Sequence, residues 1–320
     1  MSAWKTTLLA LGAFTVLTAS ASAQAPWIDG DVSEAVTRSE RSGKRTLVFV
    51  TATWCPACQA LKRDVMEAPA HQLLLEDFER VRVDFDHESS HKWVEDLVIL
   101  GLPTVVVLDS QGAPLGRIRG YDTAPSWTAE LSMLRADQDR RPELQRAAAA
   151  PDATANAKLK LARLLLERGE EAQALPLLQA LGATSEPNVA PEALFVLGRY
   201  FHRVKRDPVS ARPIWRELAV RFAESPFAPG AWWWYARAEA ETGHPGGGAR
   251  ALLDAAHRKP EDGGRIRRAA AFVRKHPQLE PVMHTELLAG INRTLAVVRD
   301  AEERSALEAL RTKLGPAVVD

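Results

Sequence analysis

Cysteine is nearly absent: among 320 residues only Cys55 and Cys58 carry a thiol. An exported protein that uses cysteine for stability spreads several pairs between distant elements. A bridge between residues this close closes a tiny loop and removes little unfolded-chain entropy. Chemistry therefore explains the pair better than stapling does. An excess of charge is also missing, since Lys plus Arg and Asp plus Glu stand at 41 each. That balance excludes a global basic field, and no nucleic-acid partner is expected. Beyond the first residues no run is apolar enough to span a bilayer. There is no phosphate-cradling glycine loop, and no Ser-His-Asp arrangement can be defended.

The N-terminus is patterned for export. Lys5 supplies a short positive region, Leu8 to Leu17 an apolar stretch, and Ala21-Ser22-Ala23 a small-x-small cleavage site. Residues 1–23 are read as a signal peptide, with a retained short anchor as the rival. The apolar run is shorter than the roughly 20 residues of a spanning helix. A periplasmic or secreted location after cleavage is the expectation.

Residues 24–136 read as one domain of strands separated by helices. Thr46–Thr51 is a continuous β-rich run, as in a strand buried on both faces. Helical sequence follows from Cys55 through Met66, and a further amphipathic stretch runs to Asp77. Val81–Phe85 alternates as a strand, His91–Leu97 reads as a helix, and Thr104–Leu108 and Leu115–Arg119 as strands. Ser126–Arg135 closes the unit as a helix. The pattern predicts a mixed sheet covered by helices, an α/β class.

Trp54-Cys55-Pro56-Ala57-Cys58 follows the first of these strands and opens a helix. At a helix N-terminus the free N–H groups and the dipole favour a Cys55 thiolate. Pro56 suits the first helical position, where its missing N–H costs nothing. Cys58, nearly one turn on, comes within disulfide reach and can resolve a mixed disulfide. A Cys-x-x-Cys pair can also be half a zinc site, but no second pair of ligands stands at a suitable spacing. His87 and His91, beside Asp84 and Asp86, have a spacing that chance supplies easily. No metal is expected, and no cofactor besides the Cys55–Cys58 disulfide.

Gly101-Leu102-Pro103-Thr104 stands just before another strand, and Gln111-Gly112 and Arg117-Ile118-Arg119-Gly120 follow it. Together with Trp-Cys-x-x-Cys these runs closely resemble the thioredoxin family over about residues 31–136. The runs are similar to those of small exported thioredoxin-like reductases and of the C-terminal domain of the periplasmic thiol:disulfide interchange protein. It implies that Pro103 follows a cis peptide bond and lies against the disulfide. The backbone of Leu102 would then pair with an extended substrate, with Trp54 beside it as a candidate substrate contact. Many thioredoxins carry a buried Asp on the strand before the motif to handle the proton of the inner thiol; here that position is Phe49. Glu67, Arg82 and Asp84 are the candidates to replace it, and Pro56 supports the loop. Pro56 and Ala57 bring no charge to the pair. This predicts a potential nearer thioredoxin's roughly −270 mV than the strong periplasmic oxidant's roughly −120 mV, and a reductase or isomerase rather than an oxidase. Protein or peptide thiols and disulfides are the expected partners, together with a membrane or periplasmic thiol electron donor.

Residues 137–156, polar and then alanine-rich before Pro151, read as a linker or a loosely packed helix. Beyond it the sequence is helical throughout. Ala162, Gly198 and Ala236 recur at similar intervals, each inside a helix–turn–helix pattern. Residues 157–262 thus resemble tetratricopeptide repeats, whose small residues mark helix contacts. Residues 263–320 read as further helices and a possible cap. Gly246-Gly247-Gly248 reads as a turn. Trp232-Trp233-Trp234-Tyr235 cannot share one helix face, so some fill the repeat core and one or two can line a groove. Such solenoids offer concave surfaces for a protein partner. The rival to an oxidoreductase is a repeat scaffold or binding protein with residual redox activity.

Overall fold

The computed structural model describes residues 27–135 and 141–315. The segment read as a signal peptide lies outside the described residues, as do residues 137–140 of the expected linker.

Five strands form one sheet: β1 (Ile28–Asp29), β2 (Arg45–Thr51), β3 (Phe78–Asp84), β4 (Thr104–Leu108) and β5 (Pro114–Arg119), in the order β1-β3-β2-β4-β5. β1, β3 and β2 run parallel, while β4 is antiparallel to β2 and β5 to β4. The central place of β2 follows from its sequence: every residue from Thr46 to Val50 is buried, which only a strand covered on both faces achieves. Val48 and Val50 pack with Val81 and Val106 beneath α1 (Val32–Ser42). Leu47 and Phe49 point the other way, toward Leu61, Val65 and Trp127. Asp31 caps α1 by accepting from the Glu34 N–H at 3.0 Å, and Gly43 ends it in the left-handed region.

The helix expected from Cys55 to Met66 is α2 (Pro56–Leu61) continued by a π-helical turn, Lys62–Met66. The stretch to Asp77 is shorter than its pattern suggested: a 3-10 turn and one turn of helix, α3 (Gln72–Leu75). α4 (His91–Asp96) and α5 (Ala124–Arg135) complete the domain.

The remaining described residues are helical. Helix α6 (Arg141–Ala149) occupies part of the expected linker and lies beside α7 (Ala155–Glu167), with no fully buried residue of its own. Then come α8 (Glu171–Ala183), α9 (Ala190–Arg199, extended by a π-helical turn to Val204), α10 (Pro208–Arg221) and α11 (Ala228–Glu241). The last four are α12 (Pro245–Arg258), α13 (Gly263–Lys275), α14 (Glu280–Val297) and α15 (Ala301–Leu314). Each helix packs on the next, as a helical repeat requires. Small residues sit where helices meet: a Cβ on Gly198 would lie 2.7 Å from the Trp215 ring. Gly246, Gly247 and Gly248, expected to form a turn, open α12 instead. The reason is close packing, since a Cβ on Gly248 would stand 2.6 Å from the Ala236 carbonyl oxygen.

The two domains are clamped together. Val98, from the loop after α4, belongs to the core of α7–α9. Arg117 of β5, its side chain 5% exposed, donates to the Leu97 and Val98 carbonyls at 2.7 and 3.1 Å. It also donates to the Glu167 carbonyl, and with Arg119 it pairs with the buried Glu167 carboxylate at the end of α7. Burial pushes the Arg117 pKa down to about 9, which still leaves it charged at neutral pH. Lys205 pairs with Glu95 at 3.1 Å, and Arg199 donates to the Leu100 carbonyl at 3.1 Å.

Candidate active site

Cys55 and Cys58 are joined by a disulfide with Cα atoms 5.2 Å apart. β2 delivers the chain to Thr51 at the sheet end. Cys55 then takes an extended conformation as N-cap of α2, and Pro56 occupies the first turn. The Cys58 N–H donates to Cys55 Sγ at 3.2 Å, so a backbone donor already faces the sulfur that would carry charge. Cys55 is 5% exposed and Cys58 not at all. Of the pair, only Cys55 keeps any exposure. Ala52, Ala57, Phe85 and Leu102 pack around the bridge, giving it an apolar setting.

The Leu102–Pro103 bond is cis. Pro103 is buried, Leu102 half-buried against the disulfide. The Gly120 N–H donates to the Pro103 carbonyl at 2.8 Å, and the Thr104 hydroxyl to the Gly101 carbonyl at 2.8 Å. These bonds hold the loop beside the cysteines. Trp54 is 55% exposed, its indole N–H donating to Asp86.

Glu67, Arg82 and Asp84 are not brought to the disulfide by any hydrogen bond or ion pair among the described residues. Glu67 pairs with Lys62 at 3.3 Å. Arg82 pairs with Asp29 at 2.8 Å across the β1–β3 edge. Asp84 accepts from the Asp86 N–H at 3.0 Å in the turn after β3. Phe49 is buried and meets Trp27 edge-on, so an apolar contact fills the position where many thioredoxins hold a carboxylate.

Sequence reasoning passed over Phe85 and Arg203. Phe85 follows β3 and packs on the cysteines, and the Arg203 guanidinium lies 4.8 Å from the Phe85 ring centre and 4.9 Å from that of Trp234. No local pattern marks this contact, because its partners come from separate domains.

A family model described as thioredoxin-like matches residues 27–110. The chain is 30% identical over 97 residues to a thiol:disulfide interchange protein DsbD of Cronobacter sakazakii, an alignment covering 29% of this chain and 17% of that protein. It is 31% identical over 103 residues to DsbD of Tatumella citrea, covering 31% of this chain and 18% of the relative. The match thus spans less than a fifth of those relatives' length. A solved thioredoxin from Thermus thermophilus aligns with 91% of its own length and 36% of this chain, at 23% identity and a TM-score of 0.32. The N-terminal domain is thioredoxin-like and carries its disulfide in a Cys-x-x-Cys motif, the arrangement of a protein-disulfide oxidoreductase.

Proposed function

We propose that the protein is an exported thiol–disulfide oxidoreductase that reduces or isomerises protein disulfides, with the Cys55–Cys58 pair as its sole redox group. The observation that carries this reading is the asymmetry of the pair. Cys55 sits at a helix N-terminus with a backbone donor on its sulfur, whereas Cys58 is wholly enclosed. In the reducing direction the Cys55 thiolate attacks one sulfur of a client disulfide. A mixed disulfide forms, and the other client sulfur leaves as a thiolate that takes up a proton. Cys58, losing its proton, attacks Cys55 Sγ and expels the second client thiol. The client gains two electrons and two protons, and the protein is left with the Cys55–Cys58 bridge. A dithiol donor, membrane-bound or periplasmic, must then restore the reduced pair.

The direction rests on what surrounds Cys55. Pro56 and Ala57 carry no charge, and the helix terminus is the stabilising influence on the thiolate. Leu102 and Pro103 offer an extended client its backbone contact, and Trp54, the residue before Cys55, is exposed. The helical repeats, read as tetratricopeptide-like, recruit the partner. Export follows from the pattern of residues 1–23, and among the described residues no helix is long and apolar enough to cross a membrane.

A redox titration of the purified chain against dithiothreitol or glutathione, followed by thiol modification and mass, tests the reading. A two-electron couple at or below about −250 mV is expected. A value above about −150 mV would reverse the direction. Failure of the cysteines to cycle would leave the repeat scaffold as the better account. Cys58→Ser should trap clients through Cys55, whereas a scaffold would capture partners without any disulfide.

A further inference from the structure

The helical domain does more than follow the redox domain: it forms one wall of a cleft whose other wall carries Trp54, the residue before Cys55. We propose that this cleft binds the client polypeptide as an extended segment and selects one with acidic side chains beside its cysteine. The proposal rests on the oxidoreductase reading and names its substrate class. The cleft, about 730 Å³, has Trp54 and Asp86 on the redox side and Arg203, Trp234, Arg237 and Lys275 on the helical side. These helical residues come from α9's terminal turn, α11 and the end of α13.

Three observations point to a carboxylate-bearing ligand. First, the cations are displayed on aromatic faces: Arg203 and Arg237 each lie 4.9 Å from the Trp234 ring centre, and Lys275 lies 5.8 Å from that of Trp233. Stacking fixes a guanidinium in the plane that a carboxylate meets with two hydrogen bonds. Second, the two carboxylates in the cleft are already engaged. Glu241 accepts from His202 at 2.8 Å and from Arg237 at 3.1 Å, and Asp86 accepts from Trp54. Third, Arg203 lines the cleft, and among the described residues no carboxylate forms an ion pair with it. Burial and the nearby Arg237 push its pKa down, to about 10, with the charge of Asp86 opposing them in part, and an incoming carboxylate would relieve the remaining cost.

The placement favours a peptide. Trp54 precedes the attacking cysteine, and Arg203 touches the Phe85 ring that packs on the disulfide. A client cysteine at Cys55 therefore puts its neighbouring residues between Trp54 and the helical wall. The clamp at Arg117–Glu167 and Lys205–Glu95 holds that wall in place.

The test uses the full chain, reduced and freed of reductant. The probes are two ten-residue peptides, each with a single cysteine blocked as its 2-pyridyl disulfide. One has Asp and Glu on both sides of the cysteine, the other Lys. Release of neutral 2-pyridinethione gives the second-order rate constant. The acidic peptide is expected to react about tenfold faster at low salt, the equivalent of one good charged contact. The ratio should fall toward one in 1 M NaCl. Arg237→Gln combined with Lys275→Gln should lower the ratio at least about threefold, and Arg203→Gln should lower it further. Arg274→Gln, which removes one positive charge just outside the cleft, should leave the ratio as it was. Should Arg203→Gln lose its native circular dichroism, the double variant still decides. A ratio near one in the unaltered chain, or one that ignores the double variant, overturns the proposal. So does oxidised glutathione reacting with this salt and variant dependence while the peptides do not differ, since the cleft would then serve a small anionic thiol. If neither peptide nor a small neutral disulfide reacts, the oxidoreductase reading itself falls.

Discussion

The redox domain and the helical domain bury their cores by opposite means. In the first, β2 and β4 are runs of branched and aromatic residues enclosed on both sides, so alternate side chains feed two separate apolar layers. In the second, helices close in over small residues, with Gly198 beneath Trp215 and Gly248 against Ala236. The difference extends to chemistry. The redox pair is a local feature, two residues within one helical turn. The cationic wall is an assembled one, with Arg203, Arg237 and Lys275 each on a different helical segment. A sheet domain with a short motif can keep its reactive centre when its neighbour changes, whereas an assembled wall depends on every helix in the stack.

Four experiments would sharpen or break that contrast, from the largest effect to the smallest. Cys55→Ser should reduce disulfide exchange to background in a stopped-flow assay while the melting curve of the helical domain stays intact; surviving turnover would mean that the local motif is not the reactive centre. Trp215→Ala removes the largest fully buried side chain and its N–H bond to His202 at 3.1 Å. It should cost about 4 kcal/mol in chemical denaturation of the helices, with Cys55 still reacting with a small neutral disulfide. Glu167→Gln leaves buried Arg117 without its carboxylate and should cost about 3 kcal/mol. Calorimetry should then show the two domains unfolding in separate transitions, and a single unshifted transition would make the clamp irrelevant.

The smallest effect concerns acid. Burial opposes the charge on Glu241, but the hydrogen bond from His202, and then the charge and hydrogen bond of Arg237, outweigh it and hold its pKa below the usual value. A lowered folded pKa contributes stability that is present above the unfolded value, roughly pH 4, and is lost as pH falls through the folded one. With the side chain 39% exposed, the contribution is under about 1 kcal/mol. Glu241→Gln should therefore match the unaltered chain near pH 3 and fall slightly below it at pH 7 in urea denaturation. An equal gap at both pH values would remove the ion pair from the account.

Much of this molecule is legible along the chain. Thr104–Leu108 reads as a strand and is one, and Thr46–Thr51 differs from β2 by a single residue at its start. Such runs announce themselves because burial on both faces demands apolar residues at every position. Gly246–Gly248 misleads, because glycine serves a turn and a close helix crossing equally well, and only the neighbouring helix tells which. Residues 137–156 read as a linker or a loosely packed helix, and α6, with no fully buried residue, is a helix of that kind over part of the segment. Phe49 shows that the usual carboxylate is missing, yet the sequence could not show that Glu67, Arg82 and Asp84 are occupied elsewhere.

The sequence by itself determined the α/β then all-α order and the disulfide pair at a helix start. These depend on periodicity and on neighbours within one turn, which the chain carries wherever it goes. Only the tertiary structure decided that Phe85, Arg203 and Trp234 would meet beside that pair. Their contact requires the Arg117–Glu167 clamp and the stacking of α9, α11 and α13, and side chains far apart in sequence acquire a common surface only once that packing is complete.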